Sequence, residues 1–192
     1  MARERATDTE TLVDAAAEVI RLKGYHNTTI DDIAAAVGIS RPTVYKYISS
    51  KQWLLDRMIE MLAQDLDERL ENLLEQESDP AKRLRAVIAA NVSAAVDNRT
   101  IYAIVFSEQA ELSADGRTQF TKWAHEVTIH FKRLLDDCDV SPTVDTWVAS
   151  NLILSMITTL YRWYDPTGPM SPNDLTDQVI SLLGAAVPQV PD

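Results

Sequence analysis

Residues 28–51 read TTIDDIAAAVGISRPTVYKYISSK, and this stretch decides the fold. Thr29 can accept hydrogen bonds from the free N–H groups at the start of a short helix, and Gly38 suits the left-handed conformation that commonly ends one. Ser40 can cap a second short helix, with Pro42 in its first turn, where the missing N–H costs little. The stretch therefore predicts two short helices joined by a tight turn.

The second of these helices, predicted over residues 41–47, carries an unusual set of side chains for so short a segment. Hydrogen-bond donors and flat rings occupy most of it: Arg41, Thr43, Tyr45, Lys46 and Tyr47. Two helices joined by a tight turn cross steeply, which leaves one side of the second helix exposed. These side chains suit the phosphates, base edges and thymine methyl groups of a major groove. We therefore interpret the pair as a DNA-binding helix-turn-helix, although two short helices of a bundle would show the same periodicity.

Helix-start signals continue on both sides of this stretch. Thr7-Asp8-Thr9-Glu10 has the form of a capping box, and Gly24 is placed to end the helix that follows. A long amphipathic helix is predicted to begin near Lys51, and the signal Ser78-Asp79-Pro80 opens another that runs to about Asp97. Three short helices therefore precede a long one.

The rest of the chain keeps the helical pattern. Segments near residues 100–112 and 116–137 have apolar side chains at helical spacing, and Ser141-Pro142 and Ser171-Pro172 open the last two helices with a cap followed by proline. The sequence has no alternating strand pattern, and glycine (5) and proline (8) are scarce among its 192 residues. We therefore predict an all-α fold of about nine helices.

Charge is distributed unevenly along the chain. Lysine and arginine number 18 against 29 acidic residues, and because the two signs balance up to Lys51, the whole net charge of −11 lies after it. An acidic protein repels phosphate, so a DNA-binding head must gather its basic side chains on one face. We place the domain boundary at this change, with a head over residues 1–50 and an acidic body over residues 51–192.

The quoted stretch resembles the helix-turn-helix of the TetR family of transcriptional repressors. The matching positions are Thr28-Thr29, Ile33-Ala34, Gly38-Ile39-Ser40, Thr43-Val44-Tyr45-Lys46-Tyr47 and Lys51. The resemblance covers roughly residues 8–55, and it departs at Ile48, where the family usually has phenylalanine and where we expect a smaller core anchor. The family implies a homodimeric repressor that binds a palindromic double-stranded DNA operator through its heads and a small-molecule effector through its body.

The family pattern also implies roles for individual side chains of the head. Thr29 and Tyr47 resemble phosphate contacts, and Lys51 resembles the cation that meets a phosphate at the start of the fourth helix. Arg41, Thr43 and Lys46 lie at positions of the pattern where base edges or nearby phosphates are contacted. The predicted DNA-binding residues are Thr29, Ser40, Arg41, Pro42, Thr43, Tyr45, Lys46, Tyr47 and Lys51.

Two parts of the head allow two interpretations each. Tyr45 is either a DNA contact or a packing residue. Arg3 and Arg5 precede the first helix, and they either follow the DNA backbone or minor groove or form a solvated charged terminus.

The segment over residues 141–164 is predicted as a helix that is apolar nearly all round. Such a helix must be covered on every side, either as a central core helix or with help from a second subunit. The last helix, which includes Val179 and Leu183, is also richer in apolar residues than one stripe needs. In the TetR family the last two helices form a four-helix dimer interface, so the resemblance implies a homodimer here.

The middle of the body holds enough apolar and aromatic side chains to line a cavity for a small apolar effector. The candidates are Phe106, Trp123, Trp147, Asn151 and Met156, although such residues are also common in a plain core. The polar side chains that either orient a ligand or satisfy one another are Asn91, Gln109, His130, Asn151 and Thr158. Residues 161–172 resemble regulators of lipid and steroid breakdown, which sense acyl-coenzyme A thioesters.

Enzyme motifs are weak or absent in the sequence. His125 and His130 are five residues apart, whereas a zinc-protease helix needs histidines four apart on one face. Nucleotide-binding glycine loops are missing, and the single cysteine, Cys138, lies beside acidic residues that disfavour a thiolate. We therefore expect no catalytic residues, no metal and no cofactor.

The location and a rival function follow from the same sequence. The charged start of the chain and the lack of an apolar run of about 20 residues predict a cytoplasmic protein without a membrane span. The rival to a DNA-binding regulator is an all-α ligand-binding or scaffolding protein that has lost DNA binding. Retention of Arg41, Lys46, Tyr47 and Lys51 argues against that rival.

Overall fold

The computed structural model describes residues 8–138 and 140–182, and all regular structure in these ranges is helical. Its elements in chain order are α1 (Thr9–Lys23), α2 (Ile30–Val37), α3 (Arg41–Val44), α4 (Lys51–Gln76), α5 (Pro80–Asp97), α6 (Arg99–Ser107), a 3₁₀ turn (Gln109–Glu111), α7 (Ala114–Asp137), α8 (Thr146–Thr158), α9 (Leu160–Trp163) and α10 (Pro172–Leu182). Only Thr159 separates α8 from α9. Counting that pair as one gives nine helices in the described ranges, so the all-α prediction is confirmed.

Local hydrogen bonds hold the predicted helix ends of the head. Thr29 forms a capping box with Asp32: the Asp32 N–H donates to Thr29 Oγ1 (3.2 Å), and the Thr29 N–H donates to Asp32 Oδ2 (2.9 Å). The Thr43 N–H donates to Ser40 Oγ (3.3 Å) at the start of α3. Gly24 and Gly38 follow α1 and α2 with φ angles of +79° and +76°, a region that glycine enters without strain. These caps are as predicted.

Two helix ends of the head differ from the prediction. Asp8 caps α1 by accepting from the Thr11 N–H (2.8 Å), whereas we predicted a box that began at Thr7, which lies outside the described residues. Helix α3 ends at Val44, three residues earlier than predicted. The N–H groups of Lys46 and Tyr47 donate to carbonyls three residues back, because short helices tighten at their last turn.

The predicted start of α8 at Ser141 is wrong. The Val144 N–H donates to the Ser141 carbonyl (2.9 Å), so Ser141-Pro142 forms a turn instead of a helix start. Serine followed by proline suits the first two positions of a β-turn as well as it suits a helix cap. The cap of α8 is Asp145, which accepts from the Val148 N–H (3.0 Å).

The chain divides into two compact units. The first contains residues 1–61 together with 100–119, and the second contains residues 62–99 together with 120–192. Buried side chains of α1, α2, α3 and α4 fill the core of the first unit, and Ile48 is fully buried among them, as expected for a core anchor. In the second unit α5 packs against α8, α9 and α10. Leu183 of the predicted last helix lies outside the described residues.

Residues 100–119 join the first unit through a contact with Asp56 of α4. The Ser113 hydroxyl donates to Asp56 Oδ2 (2.6 Å), and the Ser113 N–H donates to Asp56 Oδ1 (3.3 Å). The Gly116 N–H in turn donates to Ser113 Oγ (2.9 Å). A Cβ atom at Gly116 would overlap with the Asp56 carboxylate, so glycine is required for this close approach.

We predict that Gly116→Ala destabilises the protein by about 1–3 kcal/mol, because the new methyl group forces the Asp56 carboxylate away from Ser113. In an Asp56→Ala background the same change should be neutral or stabilising, because alanine is the better helix former by about 1 kcal/mol. Denaturant unfolding of the four proteins of this double-mutant cycle measures both effects. An equal cost of Gly116→Ala in both backgrounds would show that the Asp56 contact does not select glycine.

Candidate DNA-binding surface

Helix α3 is oriented by the burial of two side chains four residues apart. Val44 and Ile48 are both fully buried in the first unit. Side chains four apart lie on one face of a helical turn, so burying this face turns the opposite one outward. We call the outward side chains Arg41, Pro42, Tyr45, Lys46 and Tyr47 the α3 surface; all five are exposed.

Arg41 is held at the edge of the α3 surface by exposed partners. Its Nη1 donates to Asp31 Oδ2 (3.1 Å), its Nη2 donates to the Tyr45 hydroxyl (3.4 Å), and its guanidinium lies 5.7 Å from the centre of the Tyr45 ring. The Tyr45 hydrogen bond and the Asp31 charge raise the pKa of Arg41. Solvent-exposed ion pairs are weak, so a phosphate or base edge can replace Asp31.

Lys46 and the two tyrosines make up the rest of the polar α3 surface. Across residues 8–138 and 140–182, the Lys46 ammonium has no ion pair or hydrogen bond, which leaves its charge available to a phosphate. Tyr45 and Tyr47 are 48% and 37% exposed, which keeps both hydroxyls within reach of a partner. Tyr45 therefore both packs under Arg41 and faces outward, and its DNA contact stays a prediction.

The hydroxyl groups predicted to contact DNA already form hydrogen bonds at the starts of α2 and α3. The Thr29 hydroxyl donates its single proton to Asp32 Oδ2 (2.9 Å), so it must break that bond before it can donate to a phosphate. Hydrogen bonds from Lys23 and Thr29 lower the pKa of Asp32 to about 2, which keeps this carboxylate ionised. The hydroxyls of Ser40 and Thr43 share one hydrogen bond (2.8 Å), so one of their two protons stays available.

Lys51 connects the start of α4 to the loop after α1. Its ammonium donates to the carbonyls of Tyr25 (2.8 Å) and His26 (3.3 Å) and lies 4.6 Å from the centre of the Tyr25 ring. Burial and the carboxylates of Glu111, Glu108 and Asp56 raise the pKa of Tyr25 to about 12, so this ring stays neutral. An ammonium has three N–H donors, so Lys51 can hold both carbonyls and still donate to a phosphate.

The predicted DNA-binding residues all belong to the first unit. Direct contacts join Ser40 to Thr43 and Arg41 to Tyr45, whereas Lys51 is bonded to the α1–α2 loop. Sequence reasoning missed Asp31, which follows the Thr29 cap in the sequence but meets Arg41 only after α2 and α3 have packed. Arg3 and Arg5 lie outside the described residues.

The residues predicted to line the effector site are divided between the two units. Phe106 belongs to the first unit, where its ring stacks on Tyr102 with centroids 5.7 Å apart. The other four belong to the second unit. Trp147 is 41% exposed on α8, and the exposed Asn151 amide donates to the Trp147 carbonyl (2.8 Å) of its own helix. Their role in ligand binding stays a prediction.

Two polar atoms of α7 are buried without a hydrogen-bond partner in the described ranges, namely Trp123 Nε1 and His130 Nε2. Trp123 was predicted as an apolar wall of the effector site and His130 as a polar side chain of the same helices. Burial lowers the pKa of His130, and the charges of Arg83 and Arg133 lower it further, which keeps the imidazole neutral.

Groups that could support catalysis are few in the described ranges. In residues 8–138 and 140–182, no group of three or more His, Cys, Asp or Glu side chains could hold a metal ion. Cys138 is buried, and this burial raises the pKa of its thiol, as do the charges of Asp137 and Asp79.

Within residues 8–138 and 140–182, every helix is too short or too polar to cross a membrane.

Two family models match the chain. Residues 12–58 match the bacterial regulatory proteins of the tetR family, and residues 77–187, more than half of the chain, match the tetracyclin repressor-like C-terminal domain. The chain belongs to the TetR family of bacterial regulatory proteins. It is a ligand-responsive, DNA-binding transcriptional regulator whose helix-turn-helix is carried by α2 and α3.

Individual relatives agree with this assignment. The transcriptional repressor KstR2 of Rhodococcus jostii is 25% identical over 180 residues, which span 90% of this chain and 87% of the relative. The ketosteroid regulator KstR2 of Mycobacterium tuberculosis has a TM-score of 0.84 at 20% identity, over 97% of this chain and 98% of that one. AibR, solved with isovaleryl coenzyme A and operator DNA, has a TM-score of 0.79 at 21% identity, over 93% and 98%. The two solved structures share this fold.

We predict that Asp31→Asn tightens operator binding about two- to fivefold, because it removes a negative charge beside the α3 surface and releases Arg41. The affinity can be measured by fluorescence anisotropy with a DNA duplex that the wild-type protein has enriched from a random library. Asp14→Asn removes the same charge from α1 and is the matched control. Weaker or unchanged binding of Asp31→Asn would show that Arg41 does not meet the DNA.

Proposed function

We propose that the chain is a homodimeric repressor that leaves a palindromic operator when a small apolar or acyl-type effector binds its body. The observation that carries this proposal is the α3 surface, whose donors face outward because Val44 and Ile48 are buried behind them. The unpaired Lys46 ammonium supplies a charge for the DNA backbone, and Arg41 can read a base edge or a phosphate. In this proposal the head is residues 1–50 and the body is residues 51–192.

A dimer is supported by apolar side chains that α8, α9 and α10 expose. Val148 and Leu152 lie four residues apart on α8 and are 51% and 59% exposed, and Trp163 of α9 is 61% exposed. Exposed apolar groups in such a run are typical of a protein–protein interface. A second copy related by a two-fold axis covers the same face on both chains and presents two α3 surfaces to DNA half-sites about 34–36 Å apart.

The effector proposal takes its support from the relatives. AibR was solved with isovaleryl coenzyme A, and KstR2 is named as a ketosteroid regulator and a repressor. An effector that binds the operator-free dimer more tightly than the bound one shifts the population away from DNA. Its effect is limited by the ratio of the two affinities.

The proposal gives the chain neither a catalytic role nor a cofactor, because gene regulation by an operator-binding dimer needs neither. We infer that it acts in the cytoplasm, since a bacterial operator lies on DNA in that compartment. The rival function, an all-α ligand-binding or scaffolding protein without DNA binding, predicts that a random duplex library yields no enriched sequence.

We expect Tyr47→Phe and Lys46→Ala to weaken operator binding and to leave the dimer intact. Loss of the Tyr47 hydroxyl removes one hydrogen bond per subunit, and because such a bond contributes about 0.5–1.5 kcal/mol, affinity should fall several-fold or more. Loss of Lys46 should also lower the salt dependence of binding by about one counterion per subunit. Anisotropy titrations at several salt concentrations measure both effects.

Lys122→Ala serves as the control for the operator measurements, because Lys122 is an exposed lysine of the second unit. Its affinity and its salt slope should match those of the wild-type protein. If Tyr47→Phe and Lys46→Ala both bind as tightly as the wild-type protein, the α3 surface is not the DNA-binding site.

Leu152→Glu should convert the dimer to monomers and reduce operator affinity at least about tenfold, because charges placed on a buried two-fold face repel each other and cannot be hydrated. Sedimentation velocity measures the oligomeric state. Leu22→Glu, at a 72% exposed position of α1, is the matched control and should stay dimeric. A Leu152→Glu protein that remains dimeric would place the interface elsewhere.

A further inference from the structure

Three of the five polar side chains predicted to orient a ligand or satisfy one another donate a hydrogen bond to their own helix. The Asn91 amide donates to the Val87 carbonyl (2.9 Å), and the Thr158 hydroxyl donates to the Leu154 carbonyl (2.8 Å). Asn151 follows the same pattern on α8. After these bonds to a carbonyl four residues back, the Thr158 hydroxyl has no second proton to donate to a ligand. Asn91 and Asn151 each keep one amide proton. Gln109 is exposed on the 3₁₀ turn, and His130 has a buried ring nitrogen without a partner in the described ranges.

Trp123 Nε1 and His130 Nε2 are the buried polar atoms of α7 that lack a partner in the described ranges. The two residues are seven apart in the sequence, so their Cα atoms lie within about 20° of each other around the helix and about 10 Å apart along its axis. Buried polar groups are nearly always hydrogen-bonded, and leaving one unpaired is costly. Two such atoms along one helix face therefore indicate a ligand that is bound in the functional state.

The charges near this face favour an electron-rich ligand. Arg83 and Arg133 are close enough to His130 to act on its protonation, and both carry positive charge. The neutral imidazole can donate from Nε2 in one tautomer and accept in the other, whereas the indole N–H can only donate. Val127 lies between Trp123 and His130 on the same face of α7 and is half-buried. This face therefore presents a polar, an apolar and a second polar group in order along the helix.

We propose that Trp123 and His130 form the polar wall of the effector site and bind an elongated ligand with two separate polar groups, one for each of two side chains that lie two turns apart on α7. The ligand must carry an acceptor at Trp123 and a second polar group at His130. A coenzyme A thioester meets this requirement through its thioester carbonyl and the amides of its pantetheine arm. A free fatty acid has one polar end and does not. This inference rests on the proposed effector function and assigns the residues that read the effector.

The stability of the empty protein provides one test of the proposal. Trp123→Phe and His130→Phe remove the unpaired polar atoms and keep an aromatic ring in place. If Nε2 of His130 serves only a ligand, His130→Phe should unfold at the same temperature as the wild-type protein or higher, because no native hydrogen bond is lost. Trp123→Phe also loses packed ring atoms, so it should lower the unfolding temperature by no more than Trp53→Phe, which loses the same atoms. A clear drop for His130→Phe together with a larger drop for Trp123→Phe than for Trp53→Phe would mean that the atoms have partners in the protein itself and would overturn the proposal.

Effector affinity provides the second test, with isothermal titration calorimetry on the full-length dimer and octanoyl-coenzyme A, octanoate and coenzyme A as probes. We expect octanoyl-coenzyme A to bind and to release operator DNA, and octanoate to bind at least about tenfold more weakly. Each α7 variant should lose about three- to tenfold in affinity for octanoyl-coenzyme A, the effect of one hydrogen bond, with operator affinity unchanged. Trp53→Phe and His26→Phe, both in the first unit, are the matched controls and should bind the probe like the wild-type protein.

The outcomes separate this inference from the proposed function. Release of operator by octanoyl-coenzyme A with equal affinity in the wild-type protein and both α7 variants keeps the proposed function and overturns the assignment of Trp123 and His130. Equal binding of octanoate and octanoyl-coenzyme A overturns the requirement for two polar groups. Operator binding that responds to none of the three probes overturns the acyl-type effector and this inference with it.

Discussion

The burial of Val44 and Ile48 determines what the first unit can present to DNA. Because these two side chains occupy one face of α3 and its following turn, Arg41, Tyr45 and Lys46 must lie on the other face. The left-handed Gly38 sets the direction in which α3 leaves α2, and the Ser40 cap starts the helix immediately after that turn. Shortening α3 to four residues places Tyr45, Lys46 and Tyr47 on turns, where their positions depend on the anchoring of Ile48. Isoleucine at this position is small, but it is fully buried, and its packing is sufficient to hold the turn.

Electrostatics explain how an acidic protein can have a DNA-binding end. Nearly all of the net charge of −11 lies outside the head. Within the head, Arg21 is paired with Glu18, Lys23 with Asp32 and Arg41 with Asp31. Only exposed pairs of this kind can be exchanged cheaply for phosphates, and the Arg41 pair is the one on the α3 surface. Our hypothesis is that this arrangement keeps general attraction to DNA weak and leaves operator binding to a few well-placed donors, which suits a regulator among an excess of non-specific DNA.

The second unit differs from the first in where its polar groups find partners. Asn91, Asn151 and Thr158 bond to their own helices, which makes them parts of a stable core or surface. Trp123 and His130 have buried polar atoms without a partner among residues 8–138 and 140–182, and we propose that a ligand supplies those partners. The apolar side chains exposed on α8 point to a different use of the same unit, namely contact with a second copy.

Local signals along the chain were enough to predict the helices and the family, because caps and helix-ending glycines act over three or four residues. Thr29, Gly38 and Ser40 each make their contacts with near neighbours, and the α3 side chains that name the family are contiguous. It misjudged Ser141-Pro142 because a turn and a helix cap use the same residues. Three contacts became visible in the folded chain alone: Lys51 binds the carbonyls of Tyr25 and His26, Ser113 donates to Asp56, and Arg41 donates to Asp31. These contacts join residues that no local pattern relates, because they depend on how the helices pack and not on the order of residues along the chain.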